Sequence, residues 1–332
     1  MRRLNLILLI AGTVCLYWML KRLGWAKLGL YLCHAGYYLP LLFVPYGLVN
    51  LLWTVSWGCL LPDKMSRPSP GRLFLLFLAG QSLNQLTPSA SMGGEPFMAL
   101  RLKDFGVAWE EATASVVIRK GLFVLSLTLY SFLGLILTPL MSSISVFRLR
   151  FLSLGVLALG TGGLSFLIAQ RKSPCVSAMR FLEKCRLCPR KLKDKERELV
   201  ELDLCLAGFY HKYPFRIFLS LLTLMLGWLI HAVEVCVIFR LMGHPINFGP
   251  ALCLDALATI FSSLGFMIPG ALGIQDGGTI LVAMGLDLGA ALAGAFTILR
   301  RIREAFWLSL GLAAAAVANQ KTSERKQAVS SL

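Results

Sequence analysis

Two long apolar runs constrain this chain more than any other feature. Leu39–Leu61 carries no charged residue, and Phe215–Phe239 is broken only by Arg216, His231 and Glu234. Each exceeds the roughly 20 residues that cross a bilayer as a helix. Strands of a membrane barrel would alternate apolar and polar residues, and these runs do not. Hydrocarbon offers no partner for a free backbone N–H or C=O, so helices are the economical answer. Composition agrees: 57% of residues are hydrophobic and 15% charged, with a mean hydropathy of +0.70, against about a quarter charged in soluble domains. The expected class is all-α, a polytopic helical bundle forming a single membrane domain over residues 1–332.

Eight apolar helices are readable, at about 4–20, 39–61, 73–86, 112–137, 147–169, 215–242, 250–267 and 288–318. Leu4–Leu20 follows Arg2-Arg3 but precedes Lys21-Arg22 rather than a small-residue cleavage site, so it reads as a first span and not a signal peptide. Residues 21–38 interleave Lys, Trp, Tyr and His with apolar residues and look interfacial. A hydrophilic, basic loop, expected on the cytoplasmic side, occupies 170–214 with 11 Lys/Arg and 6 Asp/Glu.

Two polar segments interrupt this pattern, Thr87–Lys103 and Ile268–Gly285. The first opens Thr87-Pro88-Ser-Ala-Ser-Met-Gly93-Gly94-Glu95-Pro96, and the second Ile268-Pro269-Gly270-Ala-Leu-Gly273-Ile-Gln275-Asp276-Gly-Gly278. Proline removes backbone donors and glycine admits conformations that other residues avoid, so neither segment continues as a regular helix. Their polar groups must line a cavity or a protein-filled interior.

Charge counting tests how these broken or re-entrant segments lie. If each crosses once as a discontinuous helix, 21 Lys/Arg fall on the cytoplasmic side and five outside, with both termini cytoplasmic. If each merely dips and returns, the basic loop lands outside, against the positive-inside rule. The crossing arrangement is preferred. The +16 net charge is then topology, and no nucleic-acid partner is expected.

A shift of 181 residues lays Pro88 on Pro269, Ala90 on Ala271, Glu95 on Asp276 and Arg119-Lys120 on Arg300-Arg301. Two repeats of about 73–137 and 250–318 follow, inverted under the crossing arrangement, as in many secondary transporters. Arg119 and Arg300 lie inside their helices, where a charge costs at least about 2.5 kcal/mol and needs a partner or a wet cavity. Glu95 and Asp276, each 24 residues upstream, are the expected partners. Asn84, Thr87, Gln275 and Glu304 complete the candidate substrate-binding set, with Pro88, Gly93, Gly94, Pro269, Gly270 and Gly273 as structural residues. A guanidinium fork also matches a phosphate, so these residues suit an anionic head group as well as helix locking. His231 and Glu234, at i and i+3, read as a satisfied buried hydrogen bond, and Asp255 as support for its helix N-terminus.

Catalysis is not expected: HExxH, GxSxG, P-loop and Rossmann patterns are missing, as is an acidic metal pair. Cys185-Arg-Leu-Cys188 is a lone CxxC without a second pair, so neither a metal nor another cofactor is expected.

The segments Thr87–Pro96 (TPSASMGGEP) and Pro269–Gly278 (PGALGIQDGG) resemble the two motifs of the flippase-like transmembrane region of lysylphosphatidylglycerol synthases. The second is most similar to the subgroup associated with hopanoid biosynthesis. Ser89 stands where the first motif usually has Gly, and Asp276 where the second usually has Glu. The soluble aminoacyl-transferase domain of the synthases has no counterpart here, so lysyl transfer is not expected. The resemblance implies movement of an anionic or isoprenoid-derived lipid between leaflets of the bacterial inner membrane, with membrane lipids as partners. A membrane-embedded transferase or accessory subunit of hopanoid biosynthesis is the alternative, and a scaffold binding lipid-biosynthesis enzymes a third reading.

Overall fold

The computed structural model describes residues 36–61, 68–87, 93–141, 146–170, 184, 196–265 and 268–330. The expected first span 4–20, nearly all of the interfacial stretch 21–38, and Pro88 lie outside these residues. So does most of 171–195.

The described residues are helical. A 3-10 turn Gly36–Leu42 leads into α1, Phe43–Cys59. Then come α2 (Pro70–Leu86), α3 (Glu95–Lys103), α4 (Trp109–Met141) and α5 (Val146–Gln170). After them follow α6 (Glu196–Lys212), α7 (Pro214–Leu241), α8 (Phe248–Leu264), α9 (Ile274–Gly285) and α10 (Ala290–Ser330). Proline opens α2, α3 and α7 within their first two positions, where its missing N–H costs nothing. Among the described residues, three segments are long and apolar enough to cross a membrane: Pro40–Cys59, Trp109–Leu140 and Pro214–Leu241.

The burial pattern is that of a protein solvated by lipid. Leu140, Leu154, Leu157, Phe215 and Phe218 are exposed, whereas Arg119, Glu234, Asp255, Asp276 and Arg303 are buried. Water would reverse both preferences.

Each broken segment turns the chain back. Gly94 packs on the Gly80 carbonyl so closely that a Cβ would collide with it, and Met98 occupies the space that a Cβ on Gly80 would need. Glu95 then meets Lys120 on α4, so α3 runs antiparallel to both α2 and α4. In the second unit Gly278 packs on Phe261 and Gly265 on Ala271, and Asp276 meets Arg301 on α10. Here α9 runs against α8 and α10. The long helices of the two units open at Trp109 and Ala290, 181 residues apart.

The units are inverted with respect to each other. Ser131 bonds Thr259, and Gly134 packs on Ala256, so α8 runs antiparallel to α4. Contacts are reciprocal, with the first helix of each unit on the long helix of the other: α2 packs on α10 and α8 on α4.

One expectation needs correction. The stretch 170–214 is not wholly a loop, because Glu196–Lys212 forms α6. Leu199, Leu202, Leu206 and Phe209 recur at helical spacing, and Leu202 and Leu206 are buried, with α6 lying along α4.

Candidate functional site

The first break is built around Glu95. Asn84, near the end of α2, donates from Nδ2 to Glu95 Oε1 at 3.1 Å and accepts the Gly94 N–H on Oδ1 at 2.7 Å. One amide thus ties the exit of α2 to the first residue of α3. Lys120 Nζ lies 3.1 Å from Glu95 Oε1 and Arg119 Nη2 4.0 Å from it. The Arg119 guanidinium also stands over the Phe77 ring at 5.1 Å. Neither Glu95 Oε2 nor Arg119 Nε has a hydrogen-bond partner among the described residues, although both are buried. Thr87 is spent locally, its hydroxyl donating to the Leu83 carbonyl at 2.7 Å.

Backbone geometry shapes the second break. Pro269 opens a 3-10 turn, Pro269–Ala271, in which Gly270 has φ 62°. Ala271 at 47° and Gly273 at 80° also lie in the left-handed region, which costs a glycine little and an alanine more. Asp276, in the first turn of α9, accepts the Gly273 N–H at 3.0 Å. Its guanidinium partner is Arg301, gripping both oxygens at 3.1 and 2.8 Å. Arg301 also donates to the Gly270 carbonyl at 3.0 Å and to Glu304 at 2.6 Å.

The expected Asp276–Arg300 pair is therefore corrected. Arg300 turns instead to Glu304 at 3.2 Å and to the Gln275 side-chain amide. A step of one residue rotates a helical side chain by about 100°, so adjacent arginines face different partners. In both units the second of the two adjacent cations, Lys120 and Arg301, makes the shorter contact with the carboxylate at the break. Asn84, Glu95 and Arg119 are brought together at one break, and Gln275, Asp276, Arg300 and Glu304 at the other.

A third polar group, His231, Glu234, Asp255 and Arg303, lies beside the second break. His231 pairs with Asp255 at 3.0 Å rather than with Glu234, which is 3.8 Å away. Asp255 also accepts the Tyr130 hydroxyl at 2.9 Å, and it lies too far along α8 to support that helix's N-terminus. Glu234 lies 2.8 Å from Arg303, whose guanidinium covers the Tyr46 ring at 3.8 Å. The sequence signal was present as Arg300-Arg301-x-Arg303-Glu304, four charges within two turns of α10.

The described residues hold no group of three or more His, Cys, Asp or Glu side chains suited to a metal ion.

Residues 5–312 match the family described as the lysylphosphatidylglycerol synthase TM region. The chain belongs to that family. A UPF0104 membrane protein from Methanothermobacter thermautotrophicus is similar to it, 25% identical over 285 residues, covering 83% of this chain and 82% of the other. No solved structure matches. Both breaks lie within the matched residues.

Proposed function

We propose that this protein moves an anionic or isoprenoid-derived lipid between the leaflets of a cytoplasmic membrane, without an ATPase of its own. The observation that carries this reading is the first break. There Arg119 is buried beside Glu95 with hydrogen-bonding capacity on both side chains unspent toward the described residues. A buried guanidinium with a free donor is suited to a phosphate or carboxylate head group. Inverted broken-helix units give such a site two faces to open toward in turn. The Pro269–Gly278 motif supports a hopanoid or related lipid as cargo, and the charge distribution supports cytoplasmic termini.

The test is reconstitution in liposomes with a fluorescent anionic phospholipid and a zwitterionic one. Wild-type protein is expected to move the anionic lipid faster, with Arg119→Ala lowering that rate by about tenfold, equivalent to about 1.4 kcal/mol, and Arg119→Lys restoring it in part. An unchanged rate in Arg119→Ala overturns the site. A covalently altered lipid in a deletion strain, in place of altered sidedness, overturns transport in favour of the transferase reading.

A further inference from the structure

Among the polar groups that the breaks do not use, His231 has an environment with chemical consequences. Its ring lies between two carboxylates on different helices, Asp255 on α8 at Nδ1 and Glu234 on α7 at Nε2. Asp255 is occupied on both oxygens, by the ring nitrogen at 3.0 Å and by the Tyr130 hydroxyl from α4 at 2.9 Å. A carboxylate only accepts, so His231 Nδ1 is the donor, and a neutral imidazole then turns the Nε2 lone pair toward Glu234.

Two acceptors facing each other in a buried site gain nothing from their proximity. Addition of a proton to Nε2 converts that contact into an N–H facing a carboxylate. Glu234 is ready to respond, because neither of its oxygens makes an aligned hydrogen bond among the described residues. Its ion pair with Arg303 Nε is close, at 2.8 Å, but that nitrogen also lacks an aligned bond. From α1, the Tyr46 ring packs on His231 edge-on at 5.8 Å.

Charge balance points the same way. The connected cluster holds four carboxylates, Glu234, Asp255, Asp276 and Glu304, against the three guanidiniums of Arg300, Arg301 and Arg303. One proton on His231 brings it to neutrality, which a buried site favours.

We propose that His231 and Glu234 form a proton-loading site inside the membrane, linked to the second break through Arg303, Glu304 and Arg301. Uptake of a proton from water onto Nε2 draws Glu234 toward His231 and loosens its hold on Arg303. Arg303 stands 4.0 Å from Glu304, which is held by Arg301 at 2.6 Å. Arg301 in turn binds Asp276 and the Gly270 carbonyl. Proton occupancy therefore biases the contacts that close the break. The inference stands apart from lipid movement, and with it would supply an energy source.

Trp228 provides the readout, because its ring lies 5.9 Å from that of His231 and imidazolium quenches indole emission. The full-length protein in detergent is titrated across about pH 5–8, the range in which imidazole changes charge. A reversible fall in emission toward low pH is expected, lost in Trp228→Phe and in His231→Gln. Glu234→Gln removes the carboxylate that faces Nε2, so the emission step is expected to change its position on the pH axis. The proposal is overturned if wild type shows no step, if the step survives His231→Gln, or if Glu234→Gln leaves the midpoint in place. Should His231→Gln fail to fold, the Glu234→Gln midpoint decides. In liposomes under an imposed pH gradient, a lipid rate that follows the gradient in wild type and ignores it in His231→Gln supports coupling. A titration step in a protein that moves no lipid overturns the transport reading and leaves the proton site standing.

Discussion

Asp276 takes both of its guanidinium bonds from Arg301, while Arg300, one residue earlier, is turned to Gln275 and Glu304. A double-mutant cycle separates the two arginines. Asp276→Asn with Arg301→Met is expected to show a coupling of about 1–3 kcal/mol, the range for residues in direct contact. Asp276→Asn with Arg300→Met is expected to give less than half of that. Unfolding in detergent micelles measures both, and equal couplings would return Arg300 to the role expected from the sequence. The identities of the charged residues at each break were legible, since an acid and a base inside an apolar chain need a reason to be there. Their pairing was not, because the phase of α10 relative to α9 depends on how the intervening turn at Leu286–Gly289 closes. His231 shows the same limit. Glu234 is its neighbour along the helix, yet the packing of α8 against α7 delivers Asp255 at a shorter distance.

Among the elements, α1, α2, α4, α5, α7 and α8 fall close to the spans read from apolar runs, and α10 starts within two residues of its own, because lipid-facing helices carry their length and composition openly. Helix α6 is hidden in the sequence because its charges dominate a stretch whose apolar face is only one residue in three or four wide. Cys205 reports on its docking. The thiol lies on α6, pushed up from its ordinary pKa first by burial and then by Glu111, Glu110 and Glu201. Thiolate is the reactive form, so a raised pKa means slow alkylation at neutral pH and a rate that climbs as pH rises. With the other cysteines replaced, Glu110→Gln/Glu111→Gln is expected to lower the thiol pKa and speed maleimide labelling at pH 7. If α6 were detached from α4, the double substitution would leave the labelling rate unchanged.

The whole molecule turns on the inverted relation of its two units, and that relation fixes where the breaks lie in depth. Helix α2 has 17 residues, about 25 Å at 1.5 Å per residue, against a hydrocarbon core of about 30 Å. Its far end, where Thr87 begins the first break, is therefore close to the membrane face opposite Pro70. Helix α8 also has 17 residues but runs antiparallel to α4, hence antiparallel to α2. Its far end, where Ile268 precedes the second break, lies toward the face on which α2 starts. With α2 starting from the cytoplasm, as the Lys/Arg distribution favours, Thr87→Cys is expected to react with a membrane-impermeant maleimide from outside. Ile268→Cys is expected to react only in inverted vesicles. Labelling of both from one face would mean that the units are not inverted, whatever the 181-residue offset suggests. Labelling from opposite faces in the reversed order would retain the inversion and place both termini outside. The experiment thus separates the antiparallel setting of α4 and α8, which their contacts display, from the orientation in the membrane, which rests on charge bias.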